Sequence, residues 1–119
     1  MYEISLSSHF DSGHWLRGYE GKCARHHGHR FVYNITLCSS ELDKLGMVVD
    51  FVDVKKAMKE IEEHLDHYML NEREPFDKVN PTAENIAKYI YYEFLKTFGK
   101  KIKLVEVWES PDAGAKYYE

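Results

Sequence analysis

The sequence predicts an α+β domain of order β-β-α-α-β-β, with both helices on one face of a mixed or antiparallel sheet. Three observations carry this. Apolar residues alternate at period two near both ends of the chain, as half-buried strands require. Two central stretches place apolar residues at three- and four-residue steps, the mark of amphipathic helices. No segment is doubled, so two apolar helix stripes need one shared surface, and a sheet supplies it. The length of 119 residues fits one domain spanning 1–119.

Tyr2, Ile4, Leu6, Ser8 and Phe10 share one face of a first strand, against Glu3, Ser5, Ser7 and His9. Residues 11–28 are polar, contain Gly13, Gly18 and Gly21, and read mostly as loop. A loop that long in a small domain usually has a functional task. Alternation returns in a second strand over 30–38, with Phe31, Tyr33, Ile35 and Leu37 on one side. Met47-Val48-Val49 reads as a brief pairing segment before Asp50, which suits a helix N-cap. Phe51, Val54, Met58, Ile61 and Leu65 form the first helical stripe, with Lys55, Lys56, Lys59, Glu62 and Glu63 on a solvated face. That helix ends near Asp66-His67. Pro81 suits a first helical turn, and Thr82 or Asn80 a cap, for a second helix striped by Ile86, Ile90, Phe94 and Phe98 and closed by Gly99. Ile102 to Trp108 reads as a third strand, and Ala115 to Tyr118, after Pro111 and Gly114, as a fourth. Four strands leave open sheet edges, which pairing between subunits would cover, so a homo-oligomer is expected.

Composition narrows the function. A net charge of −4 argues against a nucleic-acid footprint. Two cysteines match no secreted disulfide pattern and suit a reducing cytosol. Met1 to Ser5 lacks the basic and apolar character of a signal segment, and no apolar run approaches the roughly 18–20 residues of a membrane span. Cytoplasmic residence is the expectation.

The chemistry concentrates in Cys23-Ala24-Arg25-His26-His27-Gly28-His29. On an extended backbone His27 and His29 point to one face with Cα atoms roughly 6.5 Å apart, a workable bite for one tetrahedral ion. His14 has the strand parity of Phe10 and is the third candidate. Three histidines leave one zinc position open, the catalytic pattern. Spacing leaves His26 and His9 as rival ligands. Cys23 lies in a polar loop beside Lys22 and Arg25, where nearby positive charge favours thiolate; it is either a further ligand or a reactive thiol. Asp66 beside His67 can set a ring tautomer. Glu109, where the third strand's alternation stops, can accept two parallel N–H bonds from a planar amidine-like edge.

The ordered series Phe10-x3-His14, Cys23-x3-His27-Gly28-His29, Gly46-Met47-Val48-Val49-Asp50-Phe51, Leu65-Asp66-His67, Leu70-Asn71, Pro81-Thr82-Ala83-Glu84-Asn85 and Glu109-Ser110 resembles the 6-pyruvoyl-tetrahydropterin synthase family over nearly the whole chain. The resemblance implies a tunnelling fold: a four-stranded antiparallel sheet with two helices on one face, trimers closing into a barrel, and two trimers forming a homohexamer with active sites at subunit interfaces. It implies one Zn2+ per subunit on His14, His27 and His29. It implies Cys23 as the base, Asp66 and His67 as a second catalytic pair that family members draw from a neighbouring subunit, and Glu109, with Thr82 nearby, as pterin contacts. Ala83 stands where some relatives have a second threonine. Three residues between Cys23 and His27 resemble the 6-carboxy-tetrahydropterin synthase branch of queuosine-type deazapurine biosynthesis. The implied reaction converts 7,8-dihydroneopterin triphosphate to 6-carboxytetrahydropterin, acetaldehyde and triphosphate, with Arg17, Lys22 and Arg25 as triphosphate candidates. The alternatives are a pyruvoyl-forming enzyme that stops at triphosphate elimination, and a non-catalytic module stabilised by a fully coordinated zinc.

Overall fold

Alternation along the first strand does not stop where its apolar residues do. In the computed structural model, which describes residues 1–119, β1 runs Tyr2–His14 and β2 runs His27–Ser39. They pair antiparallel from Tyr2↔Ser39 to His14↔His27. Residues 11–14 and 27–28 are therefore strand, not loop, and the connection shrinks to 15–26 with a one-turn 3₁₀ helix at Lys22–Ala24. The reason is that Ser12 and His14 are polar residues buried at positions a strand's inner face usually fills with apolar ones. The Ser12 hydroxyl donates to the Leu65 carbonyl and His14 Nδ1 bonds the Pro81 carbonyl, so burial continues without hydrophobicity.

Two helices cover that face. α1 spans Phe51–Leu65, with the Asp50 carboxylate accepting from the Val52 N–H as its N-cap. α2 spans Ala83–Phe98, with the Thr82 hydroxyl accepting from the Asn85 N–H. Pro81 stands before that cap rather than inside the first turn. Gly99, at φ 59, closes α2 in a conformation that favours glycine. β3 (Ile102–Ser110) pairs antiparallel with β2, and β4 (Ala113–Tyr117) with β3, so the sheet order is β1-β2-β3-β4 and every pairing is antiparallel. α1 packs over β1 and α2 over β3 and β4. Phe10, Phe31, Tyr33, Ile35, Val54, Leu65, Ile86, Ile90, Phe94 and Val105 fill the layer between sheet and helices.

Four local expectations change. Met47 to Val49 joins no strand; Val48 drops into the core and its carbonyl accepts from the Lys101 ammonium. Phe51 lies outside the buried stripe at 53% exposure, while Val54, Met58, Ile61 and Leu65 are buried. Glu62 is not simply solvated: it accepts a hydrogen bond of 2.5 Å from the buried Tyr33 hydroxyl. Finally, β3 continues to Ser110, past the expected end at Trp108.

Caps of this kind contribute about 1 kcal/mol. Asp50→Ala is expected to lower unfolding free energy by about that amount, read from urea midpoints at fixed protein concentration, with an unchanged far-UV spectrum.

Candidate active site

The register of β1 on β2 decides which side chains meet. His14 lies opposite His27, and Ser12 opposite His29, so the three imidazoles emerge on the helix-covered face at one end of the pair. Ring centroids are 4.5 Å apart for His14 and His27, 5.0 Å for His14 and His29, and 4.9 Å for His27 and His29. One nitrogen from each lies within 4.8 Å of the others. Small χ rotations bring such atoms to the roughly 3.3 Å separation that a tetrahedral ion with bonds of about 2.0–2.1 Å requires.

Tautomers favour the same use. A carbonyl only accepts, so the Pro81 oxygen at 2.8 Å fixes the proton of His14 on Nδ1. The Arg25 carbonyl at 2.6 Å does the same for His27. Nε2 of both rings is left with its lone pair. His14 is 1% exposed, and its Nε2 is a buried polar atom without a hydrogen-bond partner. Orphaned buried groups are rare and costly, and an imidazole lone pair beside two other imidazoles is a metal-ligand donor set. Burial also holds His14 below the ordinary histidine pKa, against the raising effect of the Pro81 bond, so the ring stays neutral as a ligand must. The residues present fit a divalent ion. From the end of β3, Glu109 Oε1 faces the same spot, 4.0 Å from His14 Nε2.

A second group forms on the outer edge of β1, which no strand of this chain covers. The segment after α1 docks there. The His67 N–H donates to the Asp11 carbonyl at 2.6 Å, and the Gly13 N–H to the Tyr68 carbonyl at 3.0 Å. A Cβ at Gly13 would lie 2.9 Å from the Met69 methyl carbon, the free end of a flexible side chain that can swing aside. The Asp11 N–H donates to Asp66 Oδ1 at 2.8 Å, and Asp66 Oδ2 lies 2.8 Å from His67 Nδ1. His67 adopts φ 61, uncommon for a residue with a side chain. Its own N–H bond to Asp11 and its Nδ1 contact with the Asp66 carboxylate hold that conformation. The His67 ring is 78% exposed, and its Nε2 is free to exchange a proton. Asp11 in turn takes two bonds from the Arg30 guanidinium, at 2.8 and 3.0 Å. Asp11, Arg30 and His67 line one open surface hollow together with Gly13, Gly28 and His29.

The remaining candidates lie around these groups. Cys23 is half-buried in the 3₁₀ turn; its carbonyl accepts from the Leu16 N–H at 2.7 Å, and its thiol is not among the clustered ligand atoms. Thr82 caps α2 and keeps its O–H free to donate. His9 sits exposed on the opposite sheet face, and His26 stacks on Trp15 at 5.5 Å, so neither joins the cluster. The Arg17 guanidinium turns to the carbonyls of Asn71, Phe76 and Val79, whereas Lys22 and Arg25 are exposed. Sequence reasoning missed the partners that aim the rings, the Pro81 and Arg25 carbonyls. Main-chain acceptors carry no residue-type signal. It also missed the Asp11–Arg30 pair, which the alternation would have revealed once both strands were extended.

The Asp11 N–H, then His67, hold the Asp66 carboxyl below its usual pKa. A carboxylate depressed in the folded state adds stability above its unfolded value of about 3.9 and loses it as pH falls through the lower folded value. Asp66→Asn is therefore expected to be less stable than the parent at pH 7, with the gap closing below about pH 4. Paired urea midpoints from pH 7 to 3 check this, and a pH-independent gap contradicts it.

Comparison with known proteins agrees with this architecture. The 6-pyruvoyl tetrahydropterin synthase family profile matches residues 3–119. The chain is 36% identical to the 6-carboxy-5,6,7,8-tetrahydropterin synthase of Rickettsia bellii, over 89% of this chain and 94% of that one. It is 32% identical to the Haemophilus influenzae protein of the same name, over 100% of both. Among solved structures, the Caenorhabditis elegans 6-pyruvoyl tetrahydropterin synthase superposes with a TM-score of 0.90 at 25% identity, covering 99% of this chain and 95% of that chain. With the profile running from the third residue to the last and relatives matched end to end, the chain belongs to the 6-pyruvoyl tetrahydropterin synthase family.

Proposed function

We propose that the protein is a zinc-dependent 6-carboxy-5,6,7,8-tetrahydropterin synthase. With one water, it converts 7,8-dihydroneopterin triphosphate to 6-carboxytetrahydropterin, acetaldehyde and triphosphate, a step of queuosine-type deazapurine synthesis in the cytoplasm. The observation that carries this reading is the buried, partnerless Nε2 of His14 facing His27 and His29. The relatives named above supply the reaction class.

His14, His27 and His29 hold the ion. Bound there, Zn2+ supplies Lewis acidity to the hydroxyls of the substrate side chain. Cys23, as thiolate, takes and returns protons on that side chain. His67, with Nδ1 committed to Asp66, works through Nε2 as the partner acid or base. Glu109 accepts N–H bonds from the pterin edge and holds the ring at a fixed distance from the histidines, with the Thr82 hydroxyl as a further donor. Lys22 and Arg25 meet the triphosphate. The exposure of the His67 ring and the apolar surface at Tyr2, Leu42, Leu45 and Phe51 support a homohexamer built as a dimer of trimers, in which subunits complete each other's sites.

A second reading, triphosphate elimination alone, is favoured by the similarity to the nematode 6-pyruvoyl enzyme. Product analysis separates the two. Metal-replete protein given dihydroneopterin triphosphate is expected to release acetaldehyde, measured with an NADH-coupled alcohol dehydrogenase. 6-Pyruvoyltetrahydropterin without acetaldehyde selects the second reading, and no turnover at all selects the non-catalytic module. Cys23→Ala is expected to lower kcat about 100-fold or more with metal content unchanged. Normal turnover by that variant removes the thiol from the mechanism.

A further inference from the structure

The segment that leaves the metal site is bound on both sides in a regular way. Residues 15–17 follow the ligand His14 directly. The carboxamide of Asn71 accepts from the Trp15 N–H at 3.0 Å and donates to the Trp15 carbonyl at 2.9 Å. The carboxamide of Asn80 accepts from the Arg17 N–H at 2.9 Å and donates to the Arg17 carbonyl at 3.0 Å. A side-chain amide has the donor and acceptor of a peptide group, so each asparagine stands in for one residue of a neighbouring strand. The main-chain groups of residues 15 and 17 thus meet the two asparagines, and residue 16 between them presents its N–H elsewhere. The Leu16 N–H donates to the Cys23 carbonyl at 2.7 Å.

Both asparagines are firmly based. Asn71 is 7% exposed, in a one-turn 3₁₀ helix at Leu70–Glu72. The Asn80 carbonyl accepts from the Asn85 amide at 2.9 Å, which locks it to the first turn of α2. The next residue, Pro81, supplies the carbonyl that aims His14. The Arg17 guanidinium closes the arrangement by donating to the Asn71 and Phe76 carbonyls.

We infer that Asn71 and Asn80 are positioning residues for Cys23. They splint residues 15–17 into a strand-like rail, and the rail's free side holds the Cys23 main chain at a fixed place relative to His14. The cysteine loop is otherwise ordered by one 3₁₀ turn, the His26–Trp15 stack and the His27 ring's bond to the Arg25 carbonyl. The same segment that orients the metal ligand thereby orients the thiol. The catalytic meaning of this rests on the proposed role of Cys23; the mechanical claim does not.

The test uses metal-replete, full-length protein in a Cys38→Ser background, so that Cys23 is the one thiol. Three measurements are made on the parent, Asn80→Ala and Asn71→Ala: alkylation of Cys23 by iodoacetamide, metal per chain, and kcat with KM. Loosening the rail exposes a half-buried thiol, so alkylation is expected to rise about threefold or more in either variant. Metal content is expected to hold, and kcat to fall about tenfold with little change in KM. Asp50→Ala, a cap remote from the loop, serves as the control for general destabilisation and is expected to keep the parent alkylation rate. Alkylation at the parent rate in both asparagine variants overturns the inference. Should an alanine variant fail to fold, amide hydrogen exchange on the parent decides instead: Trp15, Leu16 and Arg17 are expected to be protected, and exchange at open-loop rates overturns it. Neither alkylation nor exchange needs substrate. A parent that releases no acetaldehyde therefore sinks the proposed reaction and leaves the rail standing, while parent-like alkylation sinks the rail whatever the product.

Discussion

The hydrogen bond from His14 Nδ1 to the Pro81 carbonyl is the constraint on which the rest depends. It fixes a proton on one side of a ring that has almost no solvent contact, and so leaves the other nitrogen buried with a lone pair and no partner. A buried imidazole nitrogen left in that state is what a metal ligand offers. Two further imidazoles, delivered by the register of β2, face the same point. The bond also joins β1 to the start of α2, so the element that covers the core is the element that aims the ligand.

β1 is used along both edges. One edge pairs with β2 and gathers the histidines. The other receives the residues after α1, where the main chain of Asp11 and Gly13 holds Asp66, His67 and Tyr68. A single strand thus carries the three imidazoles along one edge and the Asp66–His67 pair along the other. Side chains placed on a sheet in this way vary little in relative position.

Much of this was legible in the sequence. The order of elements followed from periodicity. The Asp50 and Thr82 caps and the Gly99 stop followed from residue type. His-x-His on an extended backbone with a third histidine of matching strand parity picked out the three imidazoles that the structure brings together, and the ordered series of motifs gave the family. What periodicity lost was the end of each strand at the site. Ser12 and His14 are buried through hydrogen bonds, so a hydrophobicity pattern reads them as loop. Glu62 was placed in solvent because its partner, the Tyr33 hydroxyl, reaches it across the layer from another element. Met47 to Val49 has strand composition and no strand to pair with. The carbonyls of Pro81 and Arg25 are beyond any reading of side-chain types.

The central claim is an ion held by three imidazoles, with one corner open and sulfur outside the grip. X-ray absorption at the zinc edge, on protein reconstituted with one equivalent of Zn2+ and no substrate, addresses it most directly. The account predicts a shell of nitrogen and oxygen scatterers at about 2.0–2.1 Å with no sulfur. A sulfur scatterer at about 2.3 Å would make Cys23 a resident ligand and contradict it.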